Sequence, residues 1–233
     1  MNPLIPVSST SARADADIST TQRNRVLRNT YWLLALSMVP TVLGAWIGVS
    51  TGIVRAISPG IGLVVFLGGA FAFMFAIEKT KNSSAGVPVL LAFTFFMGLM
   101  LSRLVGQVLG LANGANLVML AFAGTGAIFL GMATLSSVIK RDLSAMGKFL
   151  FIGAIMLLVA GIANVFIQSG ALMITLSVLA IGIFSAFILY DLKRVQDGLE
   201  TNYISATLGV YLSIYNVFQS LLAVFGLTSG REE

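Results

Sequence analysis

Tyr203-Ile204-Ser205-Ala206-Thr207-Leu208-Gly209-Val210-Tyr211-Leu212-Ser213-Ile214-Tyr215-Asn216-Val217-Phe218-Gln219-Ser220 is the stretch on which the fold turns. It belongs to an apolar run long enough to cross a bilayer, yet Gly209, Ser213, Asn216 and Ser220 recur at spacings of four, three and four. Those spacings put the four residues on one face of a helix. That face is small and polar, and Tyr211, Tyr215 and Phe218 make a second, aromatic stripe, so the helix has no uniformly apolar surface to offer to lipid. Inside a membrane, helices are drawn together by close packing of small residues and by interhelical hydrogen bonds, which such a face supplies. The expectation is a helix buried among others.

Six more apolar runs precede it, at roughly 30–50, 57–77, 87–109, 115–139, 147–168 and 170–190, and the last run itself covers about 203–227. The breaks carry turn residues: Ser58-Pro59-Gly60, the stretch from Lys79 to Gly86, Asn113-Gly114, Lys140-Arg141-Asp142 and Ser169-Gly170. None is long enough for a soluble domain. The composition agrees: of 233 residues 57% are apolar and only 10% charged, with a mean hydropathy of +0.95, too little polar surface for a water-soluble globule. The predicted fold class is an all-α membrane protein of seven transmembrane helices. Residues 1–29 read as a flexible polar tail, 30–228 as the transmembrane domain and 229–233 as a short exit. The first run begins at Tyr31, exceeds the core of a signal peptide and follows acidic residues, so it is expected to stay as the first helix.

Basic residues set the expected orientation. Arg13, Arg23, Arg25, Arg28, Lys79, Lys81, Lys140, Arg141, Lys148, Lys193 and Arg194 fall on one side of a seven-span topology, against Arg55, Arg103 and Arg231 on the other. Eleven against three places the amino terminus in the cytoplasm and the carboxyl terminus in the periplasm. The same scattered charges, which form no basic face, argue against nucleic acid as a partner; the lipid bilayer is the expected surrounding.

The chain contains no cysteine and no histidine, which removes disulfides, thiolate and imidazole metal sites and every nucleophile or base built on them. The acids are few and far apart in sequence, and no glycine loop sits between a strand and a polar helix as phosphate binding requires. No catalytic residue, cofactor or metal site is assigned. Ionisable residues near membrane depth are the remaining candidates. Asp191 closes the sixth run and reads either as a solvated carboxylate beside Lys193 and Arg194 or as a buried acid that changes charge with pH. Glu78 reads as interfacial, and Arg103 as snorkelling outward past Gln107. Asn164 and Gln168 are expected to hydrogen-bond to neighbouring helices, and Gly68, Gly69, Gly98, Gly124, Gly126 and Gly131 to be helix contact points.

Val26-Leu27-Arg28-Asn29-Thr30-Tyr31, Tyr190-Asp191, Glu200-Thr201-Asn202-Tyr203-Ile204 and Tyr211-Leu212-Ser213-Ile214-Tyr215-Asn216-Val217-Phe218 together resemble the Bax inhibitor-1 family of membrane proteins, in particular its bacterial YccA-like branch. The resemblance implies a central seventh helix wrapped by helices 1–6. It also implies two functions. Some members are pH-sensitive calcium leaks in which an acid at the end of helix 6 and an acid in helix 7 share a proton. Asp191 matches the first, but Ser213 stands at the second, and at the end of helix 2 only Glu78 and Lys79 are found where such channels carry a basic partner. The YccA-like branch instead implies an inner-membrane partner, slow substrate and restraint of the AAA protease FtsH in membrane protein quality control. For that role the tail with Arg23, Arg25 and Arg28 is the expected handle, and the FtsH modulator is the leading expectation. The alternative is an ion leak through Asp191 and the Gly209, Ser213, Asn216, Ser220 face, and a scaffold with neither activity is a third.

Overall fold

The computed structural model of the chain describes residues 9–230, with side chains described from residue 20 onward. Seven helices account for nearly all of it: α1 Ser9–Thr51, α2 Pro59–Thr80, α3 Gly86–Leu109, α4 Gly114–Val138, α5 Met146–Ile167, α6 Gly170–Gln196 and α7 Tyr203–Ser229. Each is long and apolar enough to cross a membrane, and no strand occurs among the described residues. At 1.5 Å per residue, 22 to 27 residues give α2–α7 lengths of roughly 33 to 40 Å, matched to a hydrocarbon core of about 30 Å with modest tilt. Backbone polar groups are thereby satisfied within each helix, as a bilayer demands.

The expected architecture is observed, with α7 at the centre. It packs directly on α6, α4, α1 and α3, and more lightly on α2. Helix α5 lies outermost, seated chiefly on α6, where Gly153 faces Ile183 and Gly147 faces Tyr190. The core runs along α7 and α3: Leu90, Phe93, Met97, Val210, Tyr211, Tyr215 and Val217 are all buried. Lipid-facing phenylalanines such as Phe71, Phe75, Phe149 and Phe166 stand exposed on α2 and α5.

Helices α1 and α3 make the closest pair. Gly44 and Gly48, one turn apart on α1, face the α3 backbone at Phe95–Leu99 and the side chain of Ser102, while Gly98 of α3 faces the Thr41 carbonyl. Their missing side chains let two helix backbones meet. Of the glycines expected as contact points, Gly98, Gly69 (against Phe96) and Gly124 (against Leu221) are so used; Gly68, Gly126 and Gly131 have no neighbour within 4 Å. Pro40 lies inside α1 and has no N–H to return to the Leu36 carbonyl, so it loosens the helix just where α1 crosses α3.

Part of the expected tail is helical. Residues 9–29 are helical and continuous with the first span, because no glycine or proline interrupts the chain between Val7 and Val39 and because the segment has something to pack on. Val26 is buried with Val195 and Ala206, and Thr30 is fully buried. Residues 1–8 and 231–233, the rest of the expected tail and most of the expected exit, lie outside the described residues. Asn164 also departs from expectation: its Oδ1 accepts from the Ser169 amide at 3.1 Å and closes the α5–α6 turn, where Gln168 takes a left-handed conformation. In the α4–α5 loop the Ser144 side chain, together with its amide donating to Asp142 Oδ1 at 2.8 Å, holds that exposed carboxyl below its ordinary range.

Candidate functional site

Because consecutive helices run antiparallel, the start of α1 and the α2–α3, α4–α5 and α6–α7 loops share one end of the bundle. The sequence locks this end together. Asn202 precedes α7 and caps it, its Oδ1 accepting from the amides of Ile204 at 2.9 Å and Ser205 at 3.1 Å. Its Nδ2 reaches across to Lys81 O at 3.1 Å and Asn82 Oδ1 at 2.8 Å, tying α7 to the α2–α3 loop. Gln196, in the last turn of α6, donates to Ser136 Oγ of α4 at 2.8 Å. Arg23 of α1 donates to Gln196 O at 3.2 Å, a cation at the negative end of α6. The Arg23 stem also lies over Gly198, whose φ of +75° is the turn between α6 and α7. Gln22, Arg23, Val26, Asp197, Glu200 and Thr201 line a shallow groove of about 350 Å³ there.

Three of the stretches that carry the resemblance, Val26–Tyr31, Tyr190-Asp191 and Glu200–Ile204, fall at or near this end. Thr30 Oγ1 donates to Val26 O at 2.8 Å, and Thr207 Oγ1 of α7 lies 3.4 Å from Thr30 O, so the Val26–Tyr31 stretch is the seam between α1 and α7. The three arginines expected to act together are separated: Arg23 is docked, while Arg25 and Arg28 are exposed.

Asp191 lies within α6, which continues to Gln196, and packs onto Gly209 of α7; a Cβ at position 209 would fall 2.9 Å from Asp191 Oδ2. Both basic neighbours that the solvated reading sets beside Asp191 make contacts of their own. Lys193 is engaged by Asp197 at 2.6 Å, and Arg194 stacks on Tyr190 at 5.7 Å and approaches Glu200 at 4.0 Å. Among the described residues no hydrogen bond or ion pair reaches the Asp191 carboxylate, which is partly buried. The next residue along the same face, Ser213, is buried and spends its hydroxyl on Gly209 O at 3.1 Å. Asn216 donates to Leu212 O at 2.8 Å, and Ser220 is buried further along. The stripe therefore brings Gly209 under Asp191, while Ser213 and Asn216 satisfy their own helix. Among the described residues no three acids approach closely enough to hold a metal ion.

The polar contacts that do cross the middle of the bundle come from the aromatic stripe. Tyr211, 1% exposed, has its hydroxyl 2.9 Å from Thr41 Oγ1 and 3.4 Å from Thr94 O, and Tyr215 Oη lies 3.3 Å from Met97 O. Tyr211 also meets Phe93 edge to face, with ring centroids 6.1 Å apart. Thr41, Thr94 and Gly44 were not marked by sequence reasoning. The four-residue spacing of Gly44 and Gly48 was the available signal for the α1–α3 seam, and nothing local marks Thr41.

At the other end, Arg103 donates from Nη1 to Ile57 O at 3.2 Å, and Arg55 lies against Gly106. Glu78, back at the interlocked end, is exposed and paired with Lys81 at 2.6 Å.

Comparison with known proteins agrees with this reading. The family profile described as "Inhibitor of apoptosis-promoting Bax1" matches residues 23–230. A membrane protein of Vibrio cholerae is 36% identical over 213 residues, 91% of this chain and 94% of its own. The Escherichia coli protein named "Modulator of FtsH protease YccA" is 34% identical over 206 residues, 88% of this chain and 91% of its own. With its seven spanning helices and a family profile covering nearly all of them, the chain is a multi-pass membrane protein that belongs to the Bax inhibitor-1 family.

Proposed function

We propose that the protein is an inner-membrane modulator of the FtsH protease, acting in membrane protein quality control with its amino terminus in the cytoplasm. The observation that carries this reading is 34% identity, across 88% of the chain, to a protein named for that role. The amino-terminal helix supports it mechanically. A protease that pulls on an end has to unwind residues 9–22 before it meets Arg23 on Gln196 O and Val26 on Val195 and Ala206. Beyond that anchor lies the whole bundle. Such a substrate occupies the protease for long and is consumed slowly, which restrains degradation of others.

Deleting residues 1–22 is expected to lengthen the half-life in FtsH-containing cells several-fold, and Val26→Asp, which loosens the anchor, to shorten it. Unchanged half-lives in both variants would sink the handle. Affinity capture from solubilised membranes that never recovers FtsH would remove the partnership itself.

An ion leak, for calcium or another cation, is the second reading, favoured by the unpaired Asp191 carboxylate against Gly209. Ser213, already bonded within α7, supplies no second acid. Purified protein in calcium-loaded liposomes is expected to show no flux that Asp191→Asn abolishes; an Asp191-dependent flux would favour the pore.

A further inference from the structure

The end of the bundle opposite the interlocked loops carries a different chemistry. Every acid between Arg23 and Gly230, namely Glu78, Asp142, Asp191, Asp197 and Glu200, belongs to the interlocked end or to the last turns of helices leading there. The opposite end has two guanidiniums and no described acid. Arg103, inside α3, uses Nη1 on Ile57 O at 3.2 Å, and the same atom is the only neighbour that a Cβ on Gly62 of α2 would meet, at 3.8 Å. One turn further along α3, the Arg55 guanidinium lies over Gly106, where a Cβ would come within 3.3 Å of its Cζ and Nη2. Two glycines, on two helices, thus leave room for two cations at one corner where α1, α2 and α3 meet.

Arg103, half-buried inside α3, is an expensive cation, and Arg55 beside it is exposed. Each guanidinium has five N–H donors; Arg103 spends one on a described residue and Arg55 none. A charge at the rim of a span is costly unless neutralised, and basic residues on this side run against the charge bias that orients the chain. Exposed apolar side chains flank the corner: Ile53, 55% exposed, stands two residues before Arg55, and Ile61, 60% exposed, stands next to Gly62, which faces Arg103. A ligand that fits both features is an anionic phosphate carrying acyl chains.

We propose that Arg55 and Arg103 bind the phosphate of an anionic phospholipid, of the phosphatidylglycerol type, whose chains lie along Ile53 and Ile61. The fork geometry of arginine suits bidentate phosphate contacts, and two of them discriminate a net-negative headgroup from a zwitterionic one. The site is independent of the FtsH reading.

The test uses the full chain in nanodiscs and in detergent, with phosphatidylglycerol, phosphatidylcholine and inorganic phosphate as probes, read by native mass spectrometry of retained lipid. The wild-type protein is expected to prefer phosphatidylglycerol, and Arg55→Gln/Arg103→Gln to lose about tenfold of that preference, equivalent to roughly 1.4 kcal/mol. Equal retention by the double variant overturns the site. Should the double variant fail to fold, Arg55→Gln alone, at an exposed position, is expected to lose part of the preference, and no loss again overturns it. Displacement of the lipid by millimolar inorganic phosphate would assign the pair to free phosphate instead. Glu232 and Glu233 lie outside the described residues; a chain ending at Gly230 is expected to bind phosphatidylglycerol as before, and a gain on truncation would assign the guanidiniums to the chain's own carboxylates.

Discussion

Helices α5 and α7 invert the rule that governs soluble proteins. Helix α5 is the most apolar of the seven and, with α2, the least buried; α7 is the least apolar and the most buried. In water the apolar face turns inward because burial removes it from solvent. In a bilayer the surroundings are as apolar as leucine, so burying leucine gains little, and the centre goes to the helix with most to satisfy: Tyr211, Ser213, Tyr215 and Asn216. Inwardness here is decided by small size and polar demand.

The comparison can be broken hardest at the glycines. Gly98→Val puts a branched side chain into the Thr41 carbonyl, where neither backbone can give way, and is expected to cost more than about 3 kcal/mol and abolish accumulation in membranes. Gly161→Ala on α5, with open space beside it, is expected to leave the melting temperature in detergent unchanged or slightly raised. If both glycines tolerated substitution, tight seams would not be what holds the bundle.

A smaller effect sharpens the α6–α7 seam. Gly209→Ala presses its methyl on the Asp191 carboxylate and is expected to destabilise by about 1–3 kcal/mol, with Asp191→Ala relieving about half of that in a double-mutant cycle. Additive effects would mean that the two residues do not share the space. The smallest change is Tyr211→Phe, which keeps the ring against Phe93 and removes only the hydroxyl beside Thr41. A loss of about 0.6 kcal/mol is expected, the typical worth of such a contact in a membrane, and it should shrink in a Thr41→Val background, where the hydroxyl keeps only the Thr94 carbonyl.

Helix number and type were legible because a span must be long, apolar and nearly charge-free, a pattern that survives without any tertiary information. Extent was less legible where no lipid limits a helix. The α6 run ends at Tyr190 in hydropathy, but the helix continues through Asp191, Lys193 and Arg194 to Gln196 because Gln196 finds Ser136 and Arg23. The polar segment before Tyr31 carries no apolar run at all; its helix is held through Val26 and Thr30 by residues nearly two hundred positions away. The Gly209–Ser213–Asn216–Ser220 face was legible as a face, but not its division of labour. A serine or asparagine in a helix can bond across to a neighbour or back to its own preceding turn, and spacing alone does not choose.

The sequence by itself determined that the chain crosses the membrane seven times and that its last helix is unlike the rest, since both follow from solvation cost and 3.6-residue periodicity along one segment. Tertiary structure decided which glycines are seams, that Asp191 rests on Gly209, and that Tyr211 reaches Thr41. Each of those depends on the rotation and depth of one helix against another, and that is fixed by fit between surfaces drawn from distant parts of the chain.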